Sequence, residues 1–315
     1  MPAGAYHLLA VAVDILMALS LRYIDKSVML WRLSIYYLYR IVLLYKPWIV
    51  EILLEADLSK GDKVAVSFTG SMPGANLAVM SACQVMGITP YIISSIGSSH
   101  WGATDPEFTW IDMEKTLVSK NVLNHQSIAV SYGGKSDSGG GMSPFGREQI
   151  SNAFERSGIS KFIEVARLSE SVQTRPSVFE ESALLNEYSV YINVGGGAAS
   201  VGTLDQAREI PPGFSMPSDL KSIGDGSVLM QFASMGIPIV HILNIRELCD
   251  RYGVKFAPVP FPPIGKGKLF EIYAYNLPIT ITALFIALGS LVGVAIHSYN
   301  QIAHQRDSYE PESIL

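Results

Sequence analysis

The chain is poor in charge. Asp, Glu, Lys and Arg make up only 16% of its 315 residues, against about 25% in an ordinary globular protein. Its 23 basic residues are scattered, never form a run, and are outnumbered by 28 acidic ones. A net charge of −5 without a basic stripe lacks the electrostatic footprint of a nucleic-acid binder, so no nucleic-acid partner is expected. Cysteine is nearly absent. Cys83 and Cys249 lie far apart, each within an apolar helical pattern. They exclude a disulfide framework and a cysteine-based zinc site and read as buried free thiols. No second histidine lies at ligand spacing from His100, so no metal centre is expected. What the chain has in excess is apolar surface, at 49% hydrophobic residues and a mean hydropathy of +0.27. That excludes disorder of the whole chain.

Much of this excess sits in one run. Leu277–Ile296, LPITITALFIALGSLVGVAI, is twenty residues without a charge. As a helix it spans about 30 Å, the hydrocarbon thickness of a bilayer. Tyr273, Tyr275 and Asn276 precede it, and His297, Ser298 and Tyr299 follow, the edging expected at a membrane interface. A transmembrane helix over 277–297 is therefore expected, with a polar tail over 298–315. Residues 1–55 read as an apolar or amphipathic helical segment. Two readings stay open for it: an interfacial membrane contact or a helix packed on the globular domain. Asp14 interrupts the run Leu8–Leu21, and no Lys or Arg precedes it, which makes a poor secretory signal.

Between these ends, residues 56–257 alternate strand and helix patterns. Strands are predicted at Lys63–Phe68, Tyr91–Ser95, Ser127–Ser131, Tyr188–Val194 and Pro238–Leu243. Helices are predicted at Ala75–Met86, Asp105–Lys120 with Asp105 as N-cap, Ser143–Arg156, Ser227–Met235 and Ile245–Tyr252. Such alternation implies an α/β fold, a mainly parallel open sheet with helices on both faces. Residues 258–276 are a Pro/Gly linker, and GGKSDSGGGM, Gly133–Met142, reads by composition as a flexible loop.

Ligands of open α/β sheets collect at the carboxyl ends of the strands, and four polar segments follow predicted strands. Thr69-Gly-Ser-Met-Pro-Gly-Ala-Asn76 is a glycine turn into a helix. It is not a Walker A loop, since no Gly-Lys-Ser/Thr follows, and it does not match Gly-x-Ser-x-Gly. Thr69, Gly70, Gly74 and Asn76 are candidate ligand contacts through free N–H groups at the helix start, and Ser71 is a candidate nucleophile. Ser94–Asp105 adds Ser99 as a second candidate nucleophile, His100 as acid, base or ligand contact, and Asp105. Asn193-Val-Gly-Gly-Gly-Ala-Ala-Ser200 adds Asn193, Gly195, Gly196, Gly197 and Ser200. Three successive glycines are costly to order and suit a close approach of backbone to a ligand or another strand. At the last strand, His241 is either a hydrogen-bonded core histidine or a catalytic base. Arg246 is either a fork for a carboxylate or one half of a surface pair with Asp250.

The stretch SFTGSMPGANLAVMSACQVMGITPYIISSIGSSHWGATDPEFTWIDMEK resembles the poly-γ-glutamate system protein family. So do YINVGGGAASVGT, GIPIVHILNIRELCDRYG and PPIGKGKLFEIYAYN. The resemblance covers about residues 56–297, whereas residues 1–54 depart from the family's usual N-terminal anchor. The resemblance implies a bacterial cell-membrane protein that accompanies poly-γ-glutamate (capsule-type polymer) biosynthesis, and it carries no catalytic residues. Three functions stay open on it. One is an anchored accessory protein that binds poly-γ-glutamate, or an anionic glutamyl or phosphorylated intermediate, in a glycine-lined cleft. Another is a γ-glutamyl hydrolase or transferase using Ser71 or Ser99 with His100 or His241. The third is a scaffold for the synthase subunits. No cofactor is indicated.

Overall fold

The computed structural model describes residues 48–99, 101–220, 224, 226–254, 256 and 277–307. The expectations for residues 1–47, for His100 and for the linker after 257 lie outside this set. Seven strands form one sheet: β1 Lys63–Thr69, β2 Thr89–Ser95, β3 Ala129–Ser131, β4 Phe162–Ile163, β5 Tyr188–Val194, β6 Gly213–Ser215 and β7 Ile239–Ile242. The helices are α1 Pro73–Met86, α2 Trp110–Ser119, α3 Pro144–Ser157, α4 Leu168–Glu180, α5 Ala198–Val201, α6 Leu204–Glu209, α7 Val228–Ser234, α8 Ile245–Arg251 and α9 Leu277–Asp307.

Strand order is β4-β3-β2-β1-β5-β7-β6. All neighbours are parallel except β6, which runs antiparallel to β7 along the edge. The chain builds outward from β1 to β4, returns through α4, and starts again on the other side of β1 with β5. The order therefore reverses between β1 and β5, the place where doubly wound sheets hold their ligands.

The period-2 alternation of each strand feeds two cores. Val64, Val66, Phe68, Ile92, Val130, Ile192 and Val240 face α1, α2, α3 and α8. Ala65, Ile93, Ala129, Tyr191 and Ile239 face α4, α5, α6 and α7. Residues 48–55 are helical, with Trp48, Ile49, Ile52 and Leu53 buried in the first core. This part of the N-terminal segment packs on the domain, which begins before residue 56.

Two predicted elements are corrected. The helix expected over Asp105–Lys120 begins at Trp110, because Thr109 forms the cap: the Asp112 carboxylate accepts from its N–H (2.8 Å) and its hydroxyl (2.6 Å). Asp105 instead holds a turn ahead of it, accepting from the Glu107 N–H at 2.9 Å. Gly133–Met142 is a built loop. Gly133, Gly134, Gly139 and Gly141 take the left-handed conformation, and short bridges join Gly133 to Ser138 and Lys135 to Gly140. The sequence pattern does not predict α4, α5, α6, β4 or β6.

α9 is long and apolar enough to cross a membrane, with its apolar window at Ile281–Ile302 and exposed side chains. It continues to Asp307, past the expected end of the span, because HSYNQIAHQRD contains no helix breaker.

One buried acid sets a pH dependence. Glu114 on α2 is fully buried and accepts from the Ser127 N–H (3.0 Å) and hydroxyl (2.9 Å). Burial outweighs those two bonds and pushes its carboxyl up to about 7 from its ordinary 4.5. A folded-state pKa above the unfolded one means stability that is complete below pH 4.5 and is lost as pH rises through 7. Glu114→Gln keeps an acceptor for the N–H and has no proton to lose. The stability difference between E114Q and wild type, by denaturant titration, should shift in favour of E114Q by roughly 3 kcal/mol between pH 4.5 and 8. A flat difference would contradict the buried neutral acid.

Candidate functional site

At their carboxyl ends, the strands exchange aliphatic for polar residues on the α4 face. Ser67 and Thr69 of β1, Ser95 of β2, Ser131 of β3, Asn193 of β5 and His241 of β7 are all buried. Ser67 pairs in register with Asn193, and Asn193 with His241, so the polar residues form a row across the sheet.

A buried ion pair closes this row on one side. Arg175 of α4 and Asp137 of the glycine loop are each 1% exposed and meet at 2.8 Å. Asp137 Oδ1 accepts from Ser131 Oγ (2.8 Å) and Ser95 Oγ (3.2 Å), and Oδ2 from Ser171 Oγ (2.5 Å). Arg175 Nη2 also donates to the Ser131 and Ser95 hydroxyls, at 2.8 and 3.2 Å, and Nε to Ser171 at 3.3 Å. Ser136 and Asp137 hold φ of 60° and 59°, which costs roughly 1–2 kcal/mol each for a residue with a Cβ. The three hydroxyls and the guanidinium that grip the carboxylate offset that cost.

The two glycine corners meet at the β1–β5 boundary. Gly195, at φ 92°, lies so close to Thr69 that a Cβ there would stand 2.2 Å from Thr69 Oγ1. A Cβ on Gly197 would stand 3.2 Å from Thr69 Cγ2, 3.9 Å from Ser200 Oγ and 4.0 Å from Ser95 Oγ. On the β2 side, a Cβ on Gly70 would meet the Ile96 carbonyl oxygen at 2.3 Å. Thr69, Gly195, Gly197, Ser200 and Ser95 thus surround one point. Gly196 is exposed and Gly197 half-buried, so the corner borders solvent.

Among the described residues, three buried side-chain atoms around this corner have no hydrogen-bond partner: Thr69 Oγ1, Asn193 Oδ1 and Arg175 Nη1. Leaving such an atom unpaired costs roughly 1–3 kcal/mol, and more when it is charged. Asn193 Nδ2 is committed to the Gly195 carbonyl (2.7 Å) and His241 Nδ1 (3.0 Å). His241 therefore accepts on Nδ1 and carries its proton on Nε2. Burial pushes its pKa down to about 4, so it is neutral at pH 7. Tyr191 packs beneath, its hydroxyl donating to Ser67 Oγ at 2.8 Å, with burial raising its pKa.

Thus the structure brings together Thr69, Asn193, Gly195, Gly197 and Ser200, with His241 attached through Asn193. Gly70 lies beside them on the rim. The other candidates stand elsewhere. Ser71 Oγ accepts from the Ser99 N–H at 2.8 Å, a latch between two rim loops, and among the described residues no histidine bonds to it. Gly74 and Asn76 are buried in α1 on the opposite face; Asn76 Nδ2 donates to the Thr69 carbonyl at 2.9 Å, and its Oδ1 is also unpartnered. Arg246 is exposed on α8, its guanidinium 4.3 Å from the Phe256 ring centre. A fork at this corner is thus not Arg246's, and no ion pair joins it to Asp250. Cys83 and Cys249 are buried free thiols. Among the described residues, no group of three His, Cys, Asp or Glu is placed to hold a metal ion.

Sequence reasoning missed Arg175 and Asp137. A signal existed for α4: Val172, Val178 and Phe179 share one helical face, and Glu170 accepts from the Arg167 N–H at 3.3 Å. Pro176, inside the helix, argued against it. Nothing in GGKSDSGGGM marks its aspartate as buried.

Fold and corner together define a mainly parallel, doubly wound α/β domain with a polar nest at its switch point. The chain matches no family model, no curated protein and no solved structure.

Arg175→Met leaves the Asp137 carboxylate buried and unpaired and should cost about 3–5 kcal/mol of unfolding free energy by denaturant titration. Combining it with Asp137→Asn, which tolerates the left-handed backbone and removes the charge, should recover part of that loss. A change within about 0.5 kcal/mol for Arg175→Met alone would show that the pair is not buried as described.

Proposed function

We propose that this chain is a membrane-anchored accessory protein of bacterial poly-γ-glutamate biosynthesis or export. Its α/β domain binds an anionic glutamyl or phosphorylated group at the β1–β5 corner. Kinship of sequence motifs supplies the pathway, and α9, long and apolar enough to cross a membrane, supplies the anchor. The observation that carries the binding reading is the spare Arg175 Nη1, a buried cationic donor without a partner among the described residues, on a guanidinium bonded to Ser95, whose hydroxyl borders the Gly197 turn. A negative overall charge disfavours a polyanion at the general surface, which makes a recessed cation the place to receive one. No observation favours a serine nucleophile over this reading, since Ser71 is bonded to a backbone N–H.

The test is equilibrium binding of fluorescently labelled poly-γ-glutamate to the full chain in detergent. Saturable binding is expected, and Arg175→Lys, which keeps the charge but loses the planar fork, should weaken it about tenfold or more, roughly one charge-assisted hydrogen bond. Absence of saturable binding, or equal affinity in the variant, would overturn the proposal.

A further inference from the structure

We infer that the β1–β5 corner is built for an oxyanion that carries a hydrogen-bond donor on the neighbouring carbon, the pattern of an α-amino acid head group or of a 2-hydroxy acid. The inference deepens the proposed binding of an anion at this corner and rests on it. It follows from the kinds of atom left unpaired, because the three differ in what they need.

Arg175 Nη1 can only donate, and although Asp137 balances the charge of the guanidinium, its charge-assisted bond is strongest to an oxyanion. Asn193 Oδ1 can only accept. Its orientation is fixed, because the amide must turn Nδ2 toward the Gly195 carbonyl at 2.7 Å, and a flipped amide would set two acceptors against each other. The His241 ring nitrogen at 3.0 Å is the second partner of Nδ2, which leaves the Asn193 carbonyl pointing away from both. Thr69 Oγ1 can do either. The complement of this set is one group that accepts from Arg175 and a second that donates to Asn193, with Thr69 serving whichever has capacity to spare. A plain dicarboxylate, with every oxygen an acceptor, leaves Asn193 Oδ1 buried and unpaired, a penalty that separates ligands of the two kinds.

The backbone geometry limits the size of that head group. Gly197 faces Thr69, Ser200 and Ser95, its missing Cβ within 3.2 to 4.0 Å of all three.

Three ligands that differ at one carbon test this: L-glutamate (ammonium at C2), 2-hydroxyglutarate (hydroxyl) and glutarate (hydrogen), titrated calorimetrically into the full chain in detergent, with inorganic phosphate as a fourth. At least one of the first two should bind ten times more tightly than glutarate, and which one does so distinguishes an amino-acid head from a hydroxy-acid head. In Asn193→Ala, the preference over glutarate should fall to within twofold, a loss of discrimination that general loosening of the fold, which weakens all ligands alike, does not give. Thr69→Val, of the same shape, should weaken every ligand that binds. Equal affinity for glutamate, 2-hydroxyglutarate and glutarate, or tighter phosphate, would overturn the inference and leave the anion reading standing. No binding of the small ligands beside saturable binding of poly-γ-glutamate would overturn it as well, and no binding of either would overturn both.

Discussion

The structure turns on a charge that has been taken out of water. Desolvating a guanidinium and a carboxylate costs several kcal/mol per ion even after relaxation, so the Arg175–Asp137 pair survives only because its surroundings are polar. Serines from two adjacent strands and from α4 supply that polarity: Ser95, Ser131 and Ser171. The pair in turn joins the glycine loop to α4, which the apolar face of Val172, Val178 and Phe179 also holds on the sheet. It anchors the glycine loop that follows β3 and fixes the rotation of α4 over the sheet, and α4 is the crossover that carries the chain from β4 to β5.

The second constraint is the closeness of backbone at the β1–β5 boundary. Parallel strands diverge at their carboxyl ends where successive connections leave to opposite faces, and here glycine lets the gap stay narrow. Gly195 fits only because it has no side chain to meet Thr69. The result is a corner whose walls are main chain, hydroxyl and amide, with one arginine behind them. A recess of this kind discriminates by hydrogen-bond direction as much as by charge. That suits a ligand with donor and acceptor at fixed separation.

Much of the fold was legible because its signals are local. β1, β2 and β5 follow from alternating apolar residues, and α3 from Ser143-Pro144 at its start and Gly158 at its end. Six of the seven corner residues at Thr69, Gly70, Asn193, Gly195, Gly197, Ser200 and Ser95 were legible as site candidates, because glycine turns after strands mark such corners. What stayed hidden was long-range. Arg175 meets Asp137 across 38 residues and Ser95 across 80, and no periodicity announces a pairing of that kind. The composition of Gly133–Met142 reads as a flexible loop, since glycine is entropically costly to fix; the same glycines are what allow the loop to fold tightly enough to bring Asp137 inside. Arg246 misled for the opposite reason: its place after a strand looked right, but the helix turns it outward onto Phe256.

The claim most open to direct challenge is that residues 133–142 are held by the buried pair. Amide hydrogen exchange of the full chain measures it. Lys135, Asp137, Gly139 and Gly140 donate backbone bonds to Gly140, Gly134, Gly133 and Lys135. Their exchange should be slowed about 100-fold or more relative to an unstructured peptide, and that protection should vanish in Arg175→Met while β1 and β5 stay protected. Peptide-like exchange across the loop in the wild-type chain would contradict it: the loop would be free, Asp137 would reach water, and Arg175 would have no counter-charge in the interior.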